Sequence, residues 1–382
     1  MSAPVLAERS RCTGCGACAA GCPKNAITMV SDREGFFYPV VGDSCVQCGH
    51  CGHICPAMKQ REVRPESAVF AVWHLDDAIR QRSGAGGAFT AIAEYVLEGG
   101  GIVFGAAVDE HMTVRHVAVR NREELSALRG PKPIQSNLGD TYRAVRRALA
   151  GNQTVLFTGT PCQVDGLYRF LGEHPAKLLT CDLVCGGVVS PGVWDKLVQT
   201  MTYIKRRRAV SVQFAHKQAG MKERRFRVHF EGGGTYDAPI SKSQLGRGYV
   251  SRLLLRPACH TCPYANTNRV GDITLGTFRG LGAAFAAEEE KGISLLLVNS
   301  VKGAHLFDAL PLHREKRTME EAKACNEALC FPPSAAPERS DFFAALEEAG
   351  SDLRAVLERY LNAPNPLGAM AAKWKEKLWK KR

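Results

Sequence analysis

The sequence contains no run of about 18 consecutive apolar residues, which argues against a membrane-spanning helix. Residues Met1 to Arg11 carry no apolar stretch, so no secretory leader is expected. Low-complexity tracts are missing. The spaced G-x-G-x-x-G fingerprint of dinucleotide folds is missing too. No nucleic-acid-binding motif accompanies the formal net charge of +12, so nucleic acid is not expected as a partner. Part of that excess sits in Lys205 to Arg208 and Lys373 to Arg382, and it reads as solubility or docking to an acidic partner. A cytoplasmic location is expected. With 382 residues, 45% of them apolar, the chain has room for about two or three domains.

Cysteine is what the sequence has in excess, with 15 residues. Cys12, Cys15, Cys18 and Cys22 form a C-x2-C-x2-C-x3-C-P run, and Cys45, Cys48, Cys51 and Cys55 repeat it. Many cysteines without a leader favour metal sites over disulfides. Lone C-x-x-C pairs also suit zinc, but zinc needs neither the third cysteine nor the C-x3-C-P ending. The pattern predicts two 4Fe-4S clusters, with the fourth cysteine of each run crossing to the other cluster. Cys12, Cys15, Cys18 and Cys55 are then one ligand set, and Cys45, Cys48, Cys51 and Cys22 the other. Each cluster with four thiolates is formally about 2−, so two of them bring the net charge to about +8.

The expected fold is an α+β ferredoxin-like dicluster domain followed by an α/β flavin-binding domain with a mixed sheet. The divisions are 1–60 for the cluster domain, 68–150 and 151–318 for the α/β body, and 319–382 for a helical, loosely appended tail. Lys59 to Ser67 reads as a linker. Strands are expected at Val69–Trp73, Ile102–Val108, Val114–Val119, Thr154–Phe157 and Lys177–Val184. Helical periodicity marks Gly87–Leu97 and Leu138–Leu149. Ser190-Pro191 reads as the cap and first turn of another helix. Antiparallel strands are expected at Val210–Phe214, Arg225–Phe230 and Gly234–Tyr236, with further strands at Gly271–Gly276 and Ile293–Asn299. The stretch Leu367–Trp379 is amphipathic and lysine-rich, and could dock on a partner or an anionic surface.

A buried strand runs into Gly159-Thr160-Pro161-Cys162, which places Cys162 in the first turn of a helix, where the dipole would favour a thiolate. A second strand ends likewise in Cys185-Gly186-Gly187. If the two strands are parallel neighbours, both cysteines lie at one carboxyl edge, where ligands bind in such sheets. With Cys259 and Cys262 they would make a third four-sulfur site, for which His260 is a substitute ligand. The alternative is that Cys162 and Cys185 are small core residues and the C-x2-C pair holds zinc or nothing. Cys181, Cys325 and Cys330 read as inert, and His50 and His53 as neighbours of a cluster. Ser83-Gly-Ala-Gly-Gly87 offers backbone amides to a diphosphate at a helix start. Gly130 to Ser136 adds the cation of Lys132.

These stretches together carry a resemblance. Ser83–Thr90, Gly130–Ser136, Leu156–Gln163, Asp182–Pro191, Cys259–Cys262 and Arg269–Gly276 resemble, in order, the family of the coenzyme F420 hydrogenase/dehydrogenase beta subunit, here joined to the two-cluster ferredoxin part. The resemblance implies an FAD, a third cluster, a small hydride-carrying substrate, and a redox partner protein or ferredoxin. It implies that Ser83, Gly84, Gly86, Gly87, Thr90, Lys132, Gln135, Ser136, Gly159, Thr160 and Pro161 line the flavin. The flavin would exchange a hydride with substrate and single electrons with clusters, so no acid–base side chain is required. The chain departs from the usual family pattern at Gly186, Thr277 and Arg279. Those departures favour a second reading, a flavin-free iron–sulfur electron-transfer subunit of a larger redox complex.

Overall fold

The computed structural model describes residues 6–217, 223–348 and 352–361. In the N-terminal part, β1 (Ile27–Ser31) pairs antiparallel with β2 (Phe37–Val41) between the twin cysteine runs. Each run bends at glycines with positive φ, Gly14 and Gly16 in the first and Gly49 in the second. At Gly14 the need is also steric, since a Cβ there would collide with the Gln135 amide. Residues 59–67 hold no regular element, but they are pinned. Arg61 donates to the Asn268 carbonyl at 2.6 Å, and Arg64 to the Val270 carbonyl at 2.5 Å.

The body is built on β3 (Ala68–His74), β4 (Ile102–Val108), β5 (Val114–Val119), β6 (Val155–Gly159), β7 (Leu178–Leu183), β11 (Ile273–Phe278), β12 (Ile293–Val298) and β13 (Leu312–Arg317). They form one sheet in the order β13-β3-β12-β11-β7-β6-β4-β5. The middle, β11-β7-β6-β4, is parallel, and antiparallel strands flank it on both sides. Every residue of β6 is buried, as expected for an inner parallel strand covered on both faces. Between β7 and β11 the chain leaves the sheet to form a second one from β8 (Ala209–His216), β9 (Arg225–Phe230) and β10 (Thr235–Pro239), in the order β10-β9-β8.

The helix expected from Leu138 starts at Thr141, because Gly139 at φ 48° breaks the first turn. Several elements escaped the sequence reading, among them β1, the helix Val301–Asp308 and the two that follow. Asp77–Arg82 is a helix capped by the Asp76 carboxylate. β13 is an edge strand written Leu-His-Arg-Glu-Lys-Arg, too polar to show alternation.

The expectation of a loosely appended tail is wrong for its described residues. Phe342, Phe343, Leu346, Leu353 and Leu357 are buried in the core around Trp194, which also takes in Phe36 and Tyr38. Arg339 lies in that contact, donating to the Leu255 carbonyl at 2.8 Å and to both oxygens of Glu34. Residues of the cysteine-rich N-terminal part and the described residues 339–361 therefore share one core. Leu367–Trp379 lies outside the described residues. Among the described residues no helix is long and apolar enough to cross a membrane.

Candidate metal centres and an adjoining cavity

The structure sorts twelve of the cysteines into three groups. Burial and the neighbouring Cys12, Cys55 and Cys51 sulfurs push the Cys18 thiol up to about 12. Burial and Cys12 raise Cys55 as well. The fourth cysteine of the second run thus sits with the first three of the first run. The converse holds at the other group, where a small hollow is framed by Cys22, Cys45, Cys48 and Cys51. Backbone amides approach the sulfurs, Ala26 N–H to Cys22 at 3.3 Å and Gln47 N–H to Cys45 at 3.4 Å. His50 and His53 are exposed.

The third group comes from three separate stretches. β6 and β7 are parallel neighbours with Gly159 opposite Asp182, so Cys162 and Cys185 each lie three residues past a matched pair. Cys259 and Cys262 come from the short 3-10 turn Pro257–Thr261 and its cap. Burial, then Cys259, Cys162 and Cys262, raise the Cys185 thiol strongly. Cys162 was expected to be a favoured thiolate. Burial overrides the helix end and pushes it up to about 12, with Cys262 adding to the rise and the Thr160 hydroxyl, 3.1 Å away, opposing it. A buried group of thiols costs little while protonated and becomes a set of thiolates only beside compensating positive charge. His260 turns its Nδ1 to the Pro333 carbonyl at 2.9 Å, while its Nε2 is buried without a partner among the described residues. Among the described residues no three Cys, His, Asp or Glu side chains converge tightly enough for a single ion.

The groups neighbour one another in series. A Cβ on Gly166, in the helix Pro161–Leu171, would sit 3.1 Å from the Cys15 sulfur. Cys15 feels Cys18, Cys162 and Cys12, and burial raises its thiol strongly. Cys18 in turn feels Cys51. The Cys12 group is therefore the inner one, between the Cys162 group and the Cys45 group. Cys48 is exposed.

The inner end of the series opens on a cavity of about 420 Å³ whose walls include all four cysteines of the third group. Ser83, Gly84, Gly87, Thr90, Lys132, Gln135, Ser136, Gly159, Thr160 and Pro161 also line it. Gly86 does not. Its amide is taken by Ser294 Oγ at 2.9 Å, and a Cβ there would meet the amide nitrogen of Ser294 at 2.7 Å. That glycine serves close packing of the loop on the sheet rather than an exposed amide. Ser83 is turned inward too, its Oγ donating to Ile79 O at 2.8 Å.

Two residues carry uncompensated polarity into the cavity walls. Gln135 Oε1 accepts from Phe37 N–H and Arg256, both at 3.2 Å, and its Nε2 is buried without an acceptor among the described residues. Lys132 donates to the carbonyls of Arg129 at 2.8 Å and Gly130 at 3.3 Å, and burial alone brings its ammonium down to about 7. His116 was missed by the sequence reading, which saw only a strand. Its Nε2–H donates to Thr158 O at 3.0 Å, and its Nδ1 accepts from Ser136, which accepts from Gln163 Nε2 at 2.9 Å. Burial holds this imidazole down to about 4, so it is neutral at ordinary pH and the relay has one direction.

Residues 69–141 and 152–323 match the N- and C-terminal family models of the coenzyme F420 hydrogenase/dehydrogenase beta subunit. Residues 11–58 match a 4Fe-4S dicluster domain. One of the subunits of the F420H2 dehydrogenase of Methanosarcina mazei is 23% identical over 293 residues, 72% of this chain and 78% of that one. The coenzyme F420-dependent sulfite reductase of Methanocaldococcus jannaschii is 29% identical over 171 residues, 43% of this chain and 26% of that enzyme. A chain of the F420-reducing NiFe hydrogenase complex from Methanosarcina barkeri aligns at TM-score 0.47 and 17% identity, over 71% of this chain and 91% of that one.

Proposed function

The chain belongs to the family of the coenzyme F420 hydrogenase/dehydrogenase beta subunit, and we propose that it works as an iron–sulfur electron-transfer subunit of an F420-related oxidoreductase. The observation that carries this reading is the series of cysteine groups from the cavity to the surface. Electrons would pass between the cavity side, the Cys162 group, the Cys12 group and the Cys45 group. In this reading Cys12, Cys15, Cys18 and Cys55 hold one 4Fe-4S cluster, and Cys45, Cys48, Cys51 and Cys22 the second. Cys162, Cys185, Cys259 and Cys262 hold a third. The repeated C-x2-C-x2-C-x3-C-P runs suit cubanes better than zinc. A redox partner protein would meet the exposed Cys48 side.

A finer reading puts FAD and a small hydride-carrying substrate in the cavity. It is favoured by the open donor of Gln135 and the cation of Lys132, neither of which has an anionic partner in the described protein. When bound, a flavin would supply the conversion between a hydride pair and single electrons. The chain's own contribution is fixed polarity. Gln135 Nε2 would donate to a ring carbonyl. Lys132 would regain its charge against a phosphate or an anionic ring. The one-way relay from Gln163 through Ser136 to His116 would hold the wall rigid without offering a proton.

Anaerobic purification followed by iron, sulfide and flavin analysis tests both readings. About twelve irons per chain supports three clusters, and about eight removes the third. Bound FAD supports the finer reading, and its absence leaves only the electron-transfer reading. Zinc without sulfide overturns both.

A further inference from the structure

Arg256 is fully buried at 0% exposure, and among the described residues no carboxylate lies within ion-pair distance of it. Its Nε donates to the Cys12 carbonyl at 2.8 Å, its Nη1 to Gln135 Oε1 at 3.2 Å, and its Nη2 points at the Cys12 sulfur 3.8 Å away. The guanidinium lies 4.0 Å from the Tyr38 ring centroid. Its backbone is tied to the third group, since its amide donates to Val188 O at 3.0 Å and its carbonyl accepts from Cys259 N–H at 2.9 Å.

An arginine does not shed its proton on burial, so it needs a counter-charge. Leaving it without one costs several kcal/mol. Other buried arginines in this chain have theirs: Arg269 pairs with Asp182 at 3.1 Å, and Arg80 with Glu288. Arg256 has two carbonyl oxygens, a sulfur and an aromatic face. The negative charge available to it is the thiolate-bound clusters on either side, each formally about 2−.

We propose that Arg256 is the buried counter-cation of the two inner clusters and sets their reduction potentials. The inference rests on the cluster assignment above. One electron entering a cluster makes it more negative by one unit, with no bond made and no proton moved. A fixed cation beside it in a water-poor interior stabilises that reduced form and raises the potential. The Cys45 group has no such neighbour among the contacts of Arg256, so it is the internal control. Arg256 also donates to Gln135 Oε1, and Gln135 lines the cavity, so one hydrogen bond joins the cation to the cavity wall.

The test is a redox titration of the anaerobically purified full chain, followed by electron paramagnetic resonance, for wild type, Arg256→Gln and Arg256→Lys. Arg256→Gln is expected to lower the reduction equilibrium of the inner clusters tenfold or more, about 59 mV for one electron. The outer cluster should stay where it was, and Arg256→Lys should recover at least half of the shift. Unmoved inner potentials in Arg256→Gln overturn the proposal, as does a lysine variant indistinguishable from glutamine. If Arg256→Gln fails to fold or to load iron, the lysine variant decides. Restored iron and near-native potentials support the counter-cation, and equal failure shows a packing role instead. A wild-type protein without clusters would sink the functional reading itself, which a flat titration of a loaded protein would not.

Discussion

Cys15 and Cys48 hold equivalent places in the two cysteine runs, yet their surroundings are opposite. Cys15 is 8% exposed, packed under the helix Pro161–Leu171 in a core with Tyr142, Val164 and Leu167. Cys48 is at the surface, and residues 42–44 and 46–50 beside it are largely exposed. Spacing sets the local loop, and the loop is the same in both. What differs is whether a second element arrives to cover it. A repeat in sequence therefore says how many centres there are, while packing says which one faces inward.

The largest test of this contrast is to remove one sulfur from each run. Cys15→Ser and Cys48→Ser should each lose about four irons, since each breaks one ligand set. Their stabilities should separate. The inner variant leaves a hydroxyl in an apolar core and should cost about 2–4 kcal/mol more than the outer one. Iron analysis with denaturant unfolding of both variants reads this directly. Equal losses of stability would break the contrast between a covered and an open run.

The twin runs were legible because their spacing is local, and the structure places Cys55 beside the first run and Cys22 beside the second. Cys162 and Cys185 were legible at one remove, through two apolar strands ending alike. The parallel pairing of Gly159 with Asp182 then aligned them. Arg256 was not legible, because an arginine three residues before a C-x2-C pair looks like any surface cation until Cys12 is folded against it from 244 positions away. His116 hid in the same way inside a strand. Gly86 was misread because a glycine that exposes an amide and one that lets two backbones touch are the same letter. The tail was misread because Arg339 and Glu34 meet only in three dimensions.

The contrast can be sharpened without touching a sulfur. Gly166 lets the helix lie on Cys15, and an alanine Cβ there would come within 3.1 Å of that sulfur and 2.8 Å of the Tyr142 hydroxyl. Gly166→Ala should cost about 1–3 kcal/mol by overpacking. It should also change the spectrum of the inner centre only. Gly49, with nothing near its missing Cβ, lies beside the outer run and serves as the strain control, since its φ of 74° penalises alanine by backbone conformation alone. If Gly166→Ala alters the inner and outer signals alike, the covering helix is not what distinguishes them.

The smallest expected effect lies at the cavity end of the inner side, and it is a slope with pH. Lys132 titrates near 7 in the folded protein and near its ordinary value when unfolded, because burial disfavours the charged form. Between those two values the unfolded chain binds the extra proton, so stability should rise with pH from about 7 toward 10. Below about 7 both states are protonated and the folded one bears the full cost of the buried charge. Lys132→Met should therefore remove the slope and stabilise the ligand-free protein at pH 7 by about 1 kcal/mol, allowing for the water that reaches a half-buried ammonium. An anionic ligand in the cavity should also flatten the slope in wild type, by restoring the ammonium, and should leave the already flat profile of the variant unchanged. Thermal unfolding across that pH range, with and without added pyrophosphate, reads both effects. A wild-type slope that persists in Lys132→Met would place the titrating group elsewhere than at the cavity end.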